Sequence, residues 1–424
     1  LIGVLFATNL NLEKTFHGFF GYEVSRLSYI NEVKPKIPMN QPESRRNFLK
    51  KSTLLGAGLG LAGSASIPAF ADVAKPKNKL PAWKGFNLLD FFSHDPNTGR
   101  PTKPQYIQWI SDWGFDFVRI PISYPSYLDF DRSRPIRPDE VLNFDESRLE
   151  KVDELVDRCI SQGLHVSLNL HRAPGFCINA GFVEPYNLWK DQEAQDAFCA
   201  HWEMWAKRYK GISKKKLSFD LVNEPFQRED PNDQHSPGGP VNISDYHRVA
   251  EAALNMIKSV KKSRLVIADG NGGGGIAMPE LADLELAQSC RGYHPFPISH
   301  YKAGWVYKDP ESVPPVDWPL AQGERILDIE EIRRYYAPWK ALVDQGVGVH
   351  CGECGCYNET PHDVFLSWFG DVLTVLKENG IGFGIWEFSG AFGVMNSGRK
   401  DVEYEDWYGE KLDRKFLELL QAQI

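Results

Sequence analysis

Leu217-Ser218-Phe219-Asp220-Leu221-Val222-Asn223-Glu224-Pro225 starts as a β run and ends in Asn-Glu-Pro. Pro225 stops the hydrogen-bonded ladder and helps fix the glutamate at the strand's end. Runs of the same kind recur on both sides of it. Short β-branched or aromatic stretches predict strands over 85–92, 115–123, 164–171, 217–224, 264–270, 289–296, 347–353 and 383–389. Amphipathic stretches between them predict helices over 103–113, 147–161, 191–209, 244–262, 329–344 and 361–378, with 412–420 closing the chain. The segment 278–288 is weaker but is helical at its Leu and Ala positions. Eight strands alternating with helices at this length favour a single α/β domain, a closed (β/α)8 TIM barrel, over an open doubly wound sheet. No dinucleotide fingerprint interrupts the pattern. The run Gly272 to Gly275 follows a strand without a helix opening onto it, so it reads as a loop and not as a phosphate cradle.

With 42% hydrophobic residues among 424, the chain can bury a large core. Its net charge is −8, and apart from Lys214-Lys215-Lys216 and a short patch near position 45 it has no basic run, which argues against a nucleic-acid groove. A neutral or weakly charged ligand fits better. Seven cysteines, odd in number and scattered except for Cys351, Cys354 and Cys356, give no disulfide framework.

The N-terminal segment reads as a processing signal. Ser44-Arg45-Arg46-Asn47-Phe48-Leu49-Lys50 is followed by an Ala/Gly/Leu stretch from Thr53 to Leu61 and then by Ala69-Phe70-Ala71, a small-x-small cleavage pattern. The order matches a twin-arginine export signal over 39–71, and the apolar run is too short and too Gly-rich to span a membrane. Met39 is the first methionine, so 1–38 is expected to be a non-native or disordered extension. The mature protein is then expected to occupy 72–424 and to be periplasmic or extracellular, without a membrane span after processing.

In such a barrel, chemistry sits at the C-terminal ends of the strands, so polar residues there are candidates for function. Strand seven reads Val347-Gly348-Val349-His350-Cys351-Gly352-Glu353-Cys354-Gly355, which again brings a glutamate to the mouth, with glycines leaving room beside it. Glu224 and Glu353 on opposed strand ends match the two-carboxylate arrangement of glycoside hydrolysis. One carboxyl must keep its proton near neutrality through burial and a neighbouring carboxylate. The other must stay ionised, held by donors. Asn223 is suited to bond a sugar hydroxyl, or else simply precedes the turn at Pro225.

The Asn-Glu-Pro end on strand four, the Gly-Glu-Cys-Gly end on strand seven and Ile385-Trp386-Glu387-Phe388 on strand eight together resemble glycoside hydrolase family 5, the cellulases and related β-glucanases. The resemblance runs from Trp83 to Leu420. It implies Glu224 as acid/base and Glu353 as nucleophile, with no cofactor or metal. Arg119, in Val118-Arg119-Ile120-Pro121-Ile122, matches the family's strand-two arginine, which keeps the nucleophile ionised; as a structural residue it would still require a carboxylate partner. His171 matches the strand-three histidine and Trp386 the sugar-stacking tryptophan, with Trp189 and Trp305 as weaker candidates for outer subsites. On strand six, Arg291-Gly292-Tyr293-His294-Pro295-Phe296-Pro297-Ile298-Ser299-His300-Tyr301 aligns Tyr293 with the family tyrosine and puts Arg291 where a histidine is expected. Either Arg291 takes over part of that role, or His294 or His300 reaches in.

Two other readings compete with hydrolysis. Cys-x-x-Cys beside His350 offers zinc-type ligands, but an extended segment points Cys351 and Glu353 to one face and Cys354 to the other, which disfavours a tetrahedron. A barrel that binds glycans without cleaving them is the second. The sequence after Trp386, through Phe392 to Ser397 and on to Arg399, Asp401 and Tyr404, resembles β-glucanases more than mannanases. The expected partner is a β-glucan (cellulose-like, mixed-linkage or β-1,3) cleaved by double displacement by a monomer, with a mannanase or transglycosylase of the same fold as the alternative.

Overall fold

The computed structural model describes residues 77–424, which fall in the compact unit Lys75–Ile424. The extension expected over 1–38 and the signal expected over 39–71 lie outside the described residues. Eight strands form the barrel: β1 Lys84–Asn87, β2 Phe117–Ser123, β3 His165–Ala173, β4 Leu217–Asp220, β5 Leu265–Asp269, β6 Ala287–Gly292, β7 Val349–Cys354 and β8 Phe383–Ile385. Each pairs in parallel with the next, and β8 pairs with β1 to close the ring. The covering helices are α1 Pro104–Asp112, α2 Glu146–Ser161, α3 Gln192–Arg208, α4 Ile243–Val260, α5 Ile329–Asp344, α6 His362–Glu378 and α7 Arg414–Gln421. Among the described residues no helix is long and apolar enough to cross a membrane.

The interior is layered. Near the strands' N-terminal ends Trp83 stacks on His165 at 3.7 Å, and His350 packs on Phe117 at 4.5 Å, so aromatic rings fill the bottom. Burial pushes His165 down to about 4 and His350 to about 3, which keeps both rings neutral in this layer. The top of the barrel is instead polar: Asn87, Arg119, Asp220, Asp269 and Arg291 are each at most 2% exposed. Such groups persist in an interior only when they satisfy one another.

Strands one, six and eight end short of their expected bounds, and two further expected elements change. The segment 278–288 forms no helix: a 3₁₀ turn, Pro279–Leu281, leads almost directly into β6 at Ala287. Gln288 accounts for this, because its amide accepts from Met278 N at 3.0 Å and donates to Met278 O at 2.6 Å, tying the connection into a short return. The regular ladder of strand four ends at Asp220 instead of reaching Glu224, although Leu221 N and Asn223 N still donate to Ile267 O and Leu170 O on the neighbouring strands.

Candidate active site

Irregularities in two strands aim the side chains. Between β6 and β7 the register runs Cys290 to Cys351 and then Arg291 to Glu353, so Gly352 is an extra residue, a β-bulge. A Cβ on Gly352 would meet Ser289 Oγ at 2.6 Å, so glycine lets that hydroxyl approach the strand, with Arg291 and Arg119 in ordinary contact at 3.5 and 3.6 Å. The bulge also overturns the expected alternation: Cys351 and Cys354 lie on one side, both against Gly292, while Glu353 turns into the barrel mouth. A second shift, from Ile122–Leu170 to Ser123–Arg172, makes His171 the extra residue of β3. Among the described residues no three His, Cys, Asp or Glu side chains are grouped to hold a metal ion.

Glu224 sits just past β4 with φ +49°, a left-handed conformation unusual for a non-glycine residue and not the extended one expected before proline. Strain of this kind must be held by the surroundings. Its N–H donates to Asp269 Oδ2 at 2.8 Å, and its Oε1 accepts from Arg291 Nε at 2.7 Å. Glu353 Oε1 accepts from Arg119 Nη1 at 2.6 Å and from Arg291 Nη2 at 3.5 Å, and its Oε2 from Tyr293 OH at 3.2 Å. One guanidinium therefore touches both glutamates. Arg119 also donates to Asp220 at 2.7 Å, Asn87 at 3.1 Å and Asn223 at 2.9 Å. Asn223 Oδ1 accepts from Arg291 as well, at 2.9 Å.

The two glutamates feel opposite fields. Burial first, then the charge of Glu353, pushes the Glu224 carboxyl up to about 7, although Arg291 pulls the other way. Burial acts to raise Glu353 too, but Arg291 and then Arg119 outweigh it and hold that carboxyl below the ordinary range. One carboxyl keeps a proton near neutrality while the other is ionised.

Among the described residues, Asn223 Nδ2, His171 Nδ1 and Asp220 Oδ1 are buried in this region without a partner. The other ring nitrogen of His171 meets Asn179 Oδ1 at 2.9 Å, and burial pushes the imidazole down to about 4. Trp386, directly after β8, stacks near His171 at 5.5 Å and is met edge-on by Phe92 at 5.3 Å.

The structure thus brings together Glu224, Glu353, Arg119, Asn223, Tyr293, His171 and Trp386. Of the strand-six alternatives it is Arg291 that enters. His300 lies behind Tyr293, ring to ring at 5.0 Å, where burial keeps it neutral, and His294 stacks on Tyr335 of α5 at 4.6 Å. Trp189 cannot form an outer subsite: it is 2% exposed and packs against Phe176 and Tyr246. Trp305 is 39% exposed and packs edge-on to Tyr357 at 4.7 Å. Asp220, Asp269, Asn87 and Asn179 were not singled out by sequence. The first three end β4, β5 and β1, so the rule applied to the glutamates, polar residues at strand ends, would have found them. Asn179 lies in the loop after β3 and carries no such signal.

The family model for cellulase, glycosyl hydrolase family 5, matches residues 74–392. Endoglucanase C of Acetivibrio thermocellus is 23% identical over 324 residues, covering 70% of this chain and 88% of the relative. Cellodextrinase A of Ruminococcus flavefaciens is 23% identical over 290 residues, covering 66% and 76%. Among solved structures, a glycoside hydrolase is 37% identical with a TM-score of 0.72, covering 81% of this chain and 99% of that one. Endoglucanase Cel5A of Thermotoga maritima shares the fold, with a TM-score of 0.62 at 21% identity over 80% of this chain and 97% of its own. The chain belongs to glycosyl hydrolase family 5 and is a glycoside hydrolase.

Proposed function

We propose that this protein is a retaining β-glucanase in which Glu353 is the nucleophile and Glu224 the acid/base. The observation that supports it most is that one arginine touches both carboxyls while their proton affinities are driven apart, Glu224 upward to about 7 and Glu353 below the ordinary range. In the first step Glu353 forms a bond to the anomeric carbon as the glycosidic C–O bond breaks, and the Glu224 proton goes to the departing oxygen. In the second, Glu224 takes a proton from water, the water oxygen bonds to the anomeric carbon, and the bond to Glu353 breaks. Tyr293 and Arg119 hold the nucleophile and take up its charge as it is displaced. Asn223 Nδ2 and His171 Nδ1, buried and unpartnered among the described residues, are available to sugar hydroxyls. Trp386 offers a face to the sugar in the cleavage subsite.

The β-glucan assignment rests on the names of the relatives, endoglucanase and cellodextrinase, and on the sequence after Trp386. Glu353→Gln should abolish turnover. Glu224→Gln should lose substrates with poor leaving groups while still cleaving aryl glycosides whose leaving group needs no proton. A 2-fluoro glycoside should trap an adduct on Glu353. Full activity in either folded variant would sink the mechanism. Cleavage of mannan alone from a polysaccharide panel would sink the substrate assignment and leave the chemistry. Export rests on segment 39–71 alone, and retention of the enzyme inside the cell in an Arg45→Lys/Arg46→Lys variant is the result expected.

A further inference from the structure

Arg291 occupies the position where the resemblance to the family led us to expect a histidine, and Asp269 lies opposite it at the end of β5. The two residues and Glu224 form a closed ring. Glu224 N–H donates to Asp269 Oδ2 at 2.8 Å, Arg291 donates to both oxygens of Asp269, and Arg291 Nε returns to Glu224 Oε1 at 2.7 Å. The ring thus grips Glu224 by its strained backbone, at φ +49°, and by its carboxyl.

Both partners are anchored independently of Glu224. Tyr246 of α4 donates to Asp269 O at 2.5 Å, and Tyr336 of α5 donates to Arg291 O at 3.0 Å. Ser289 Oγ takes a further Arg291 bond at 3.1 Å. Above, the Gly272 to Gly275 turn closes over the guanidinium: a Cβ on Gly274, whose φ is +79°, would meet Arg291 Cγ at 2.6 Å, and Gly273 N donates to Pro225 O at 3.1 Å. What the sequence offers as a plain loop is shaped to the pair.

We propose that Asp269 and Arg291 are a positioning pair that holds Glu224 in its working geometry and, by their opposed charges, sets the pH at which it gives up its proton. This rests on the reading of Glu224 as the acid/base. The charged and titratable groups around that carboxyl are Arg291 on β6, Asp269 on β5, Glu353 on β7, Tyr293 just past β6, Arg119 on β2, Asp220 on β4 and Arg228 on the segment that follows β4. Arg291 favours the ionised form of Glu224 and Asp269 favours the protonated form. Removing one or the other must therefore move the titration in opposite directions.

The test is the pH dependence of kcat/KM on an aryl β-glucoside with a poor leaving group, which reads the free enzyme. In Arg291→Met the basic limb should move up by about one pH unit or more, and in Asp269→Asn, which keeps an oxygen for the Glu224 N–H, it should move down. Arg291→Lys should leave the limb near its native position, because the charge remains, yet lower kcat about tenfold or more because the fork that grips Glu224 and Asp269 together is gone. Limbs that stay put, limbs that move in the same direction, or a limb in Arg291→Lys displaced as far as in Arg291→Met would each overturn the proposal. Circular dichroism and melting establish that each variant is folded, and if Arg291→Met does not fold, Arg291→Lys and Asp269→Asn decide. Glu224→Gln on good and poor leaving groups separates the two failures. If it does not discriminate between them, the acid/base reading itself fails. If it discriminates and the limbs still do not move, only the pair is wrong.

Discussion

Glu387 follows Trp386 in the chain, is 7% exposed, and lines a cavity of about 280 Å³ with Arg100, Thr102, Lys103 and Tyr106. Its carboxyl fits against Gly390, where a Cβ would lie 2.2 Å from Oε1. Burial pushes it up from 4.5 to about 7, against the pull of Arg100. The folded protein therefore holds this proton more tightly than the unfolded chain. The resulting stabilisation is complete below about pH 4.5 and is lost as pH rises through about 7. At about 1.4 kcal/mol per pH unit, the interval amounts to roughly 3 kcal/mol by about pH 8. Glu387→Gln keeps the size of the side chain and removes the titration. Urea denaturation of both proteins near pH 5 and near pH 8 should show the stability of the variant relative to wild type rising by roughly 3 kcal/mol across that range. A difference that does not change with pH refutes the reasoning. The same variant also bears on catalysis, because Glu224 and Glu387 are both driven to about 7 and either can produce an alkaline loss of activity. A basic limb that survives in Glu387→Gln belongs to Glu224, whereas one that disappears belongs to the carboxyl beside Trp386.

Arg119→Met should raise the acid limb of the profile by about one pH unit, since Glu353 loses its closest cation; a melting curve should also record a loss of about 3 kcal/mol or more, because the buried acceptors on Asp220, Asn87 and Asn223 each lose a donor. Gly352→Ala should lower kcat at least about tenfold with unchanged circular dichroism, because the added methyl displaces Ser289, whose hydroxyl accepts from the Arg291 guanidinium beside Glu353. Trp386→Ala should cost about tenfold in kcat/KM, whereas Trp189→Phe should leave kcat/KM unchanged and cost only stability; the reverse pattern would show that the stacking face has been misplaced.

The barrel was legible because each strand is a short apolar run between amphipathic helices, a periodicity that survives small errors in the ends. It failed at 278–288, where the Leu and Ala spacing suits a helix but the Gln288 amide draws Met278 back and leaves no room for one. The glutamates were legible for a related reason: a carboxyl at the end of a buried strand is conspicuous. Their setting was not. Asp220 and Asp269 end strands in the same way, yet only the closed barrel shows that they sit between two arginines. The bulge at Gly352 defeated the alternation argument for Cys351 and Cys354, since one inserted residue reverses every later side chain. Trp189 and Trp386 look alike in sequence. Burial alone separates a core residue from one that borders the site.

The charge balance of the site ties these features together. Asp220, Glu224, Asp269 and Glu353 are gathered around Arg119 and Arg291, two carboxylates more than the cations present. An excess of that size in a buried volume is relieved by binding protons, and two of the four carboxyls, Asp220 and Glu224, are driven up to about 7. Burial raises Asp220 most, with Asp269 next, and among the described residues its Oδ1 lacks a partner, which leaves that oxygen free to carry a proton. With both protons in place the centre is close to neutral, and under the proposed mechanism the charge left on Glu353 would face the anomeric carbon where positive charge develops. If Glu224 is the acid/base proposed above, giving up its proton returns a negative charge to the site, and Arg291 is already 2.7 Å from the oxygen that would receive it. An arginine at this position therefore weakens the acid at rest but stabilises the carboxylate once the proton has left. In the proposed second step, that carboxylate is the base.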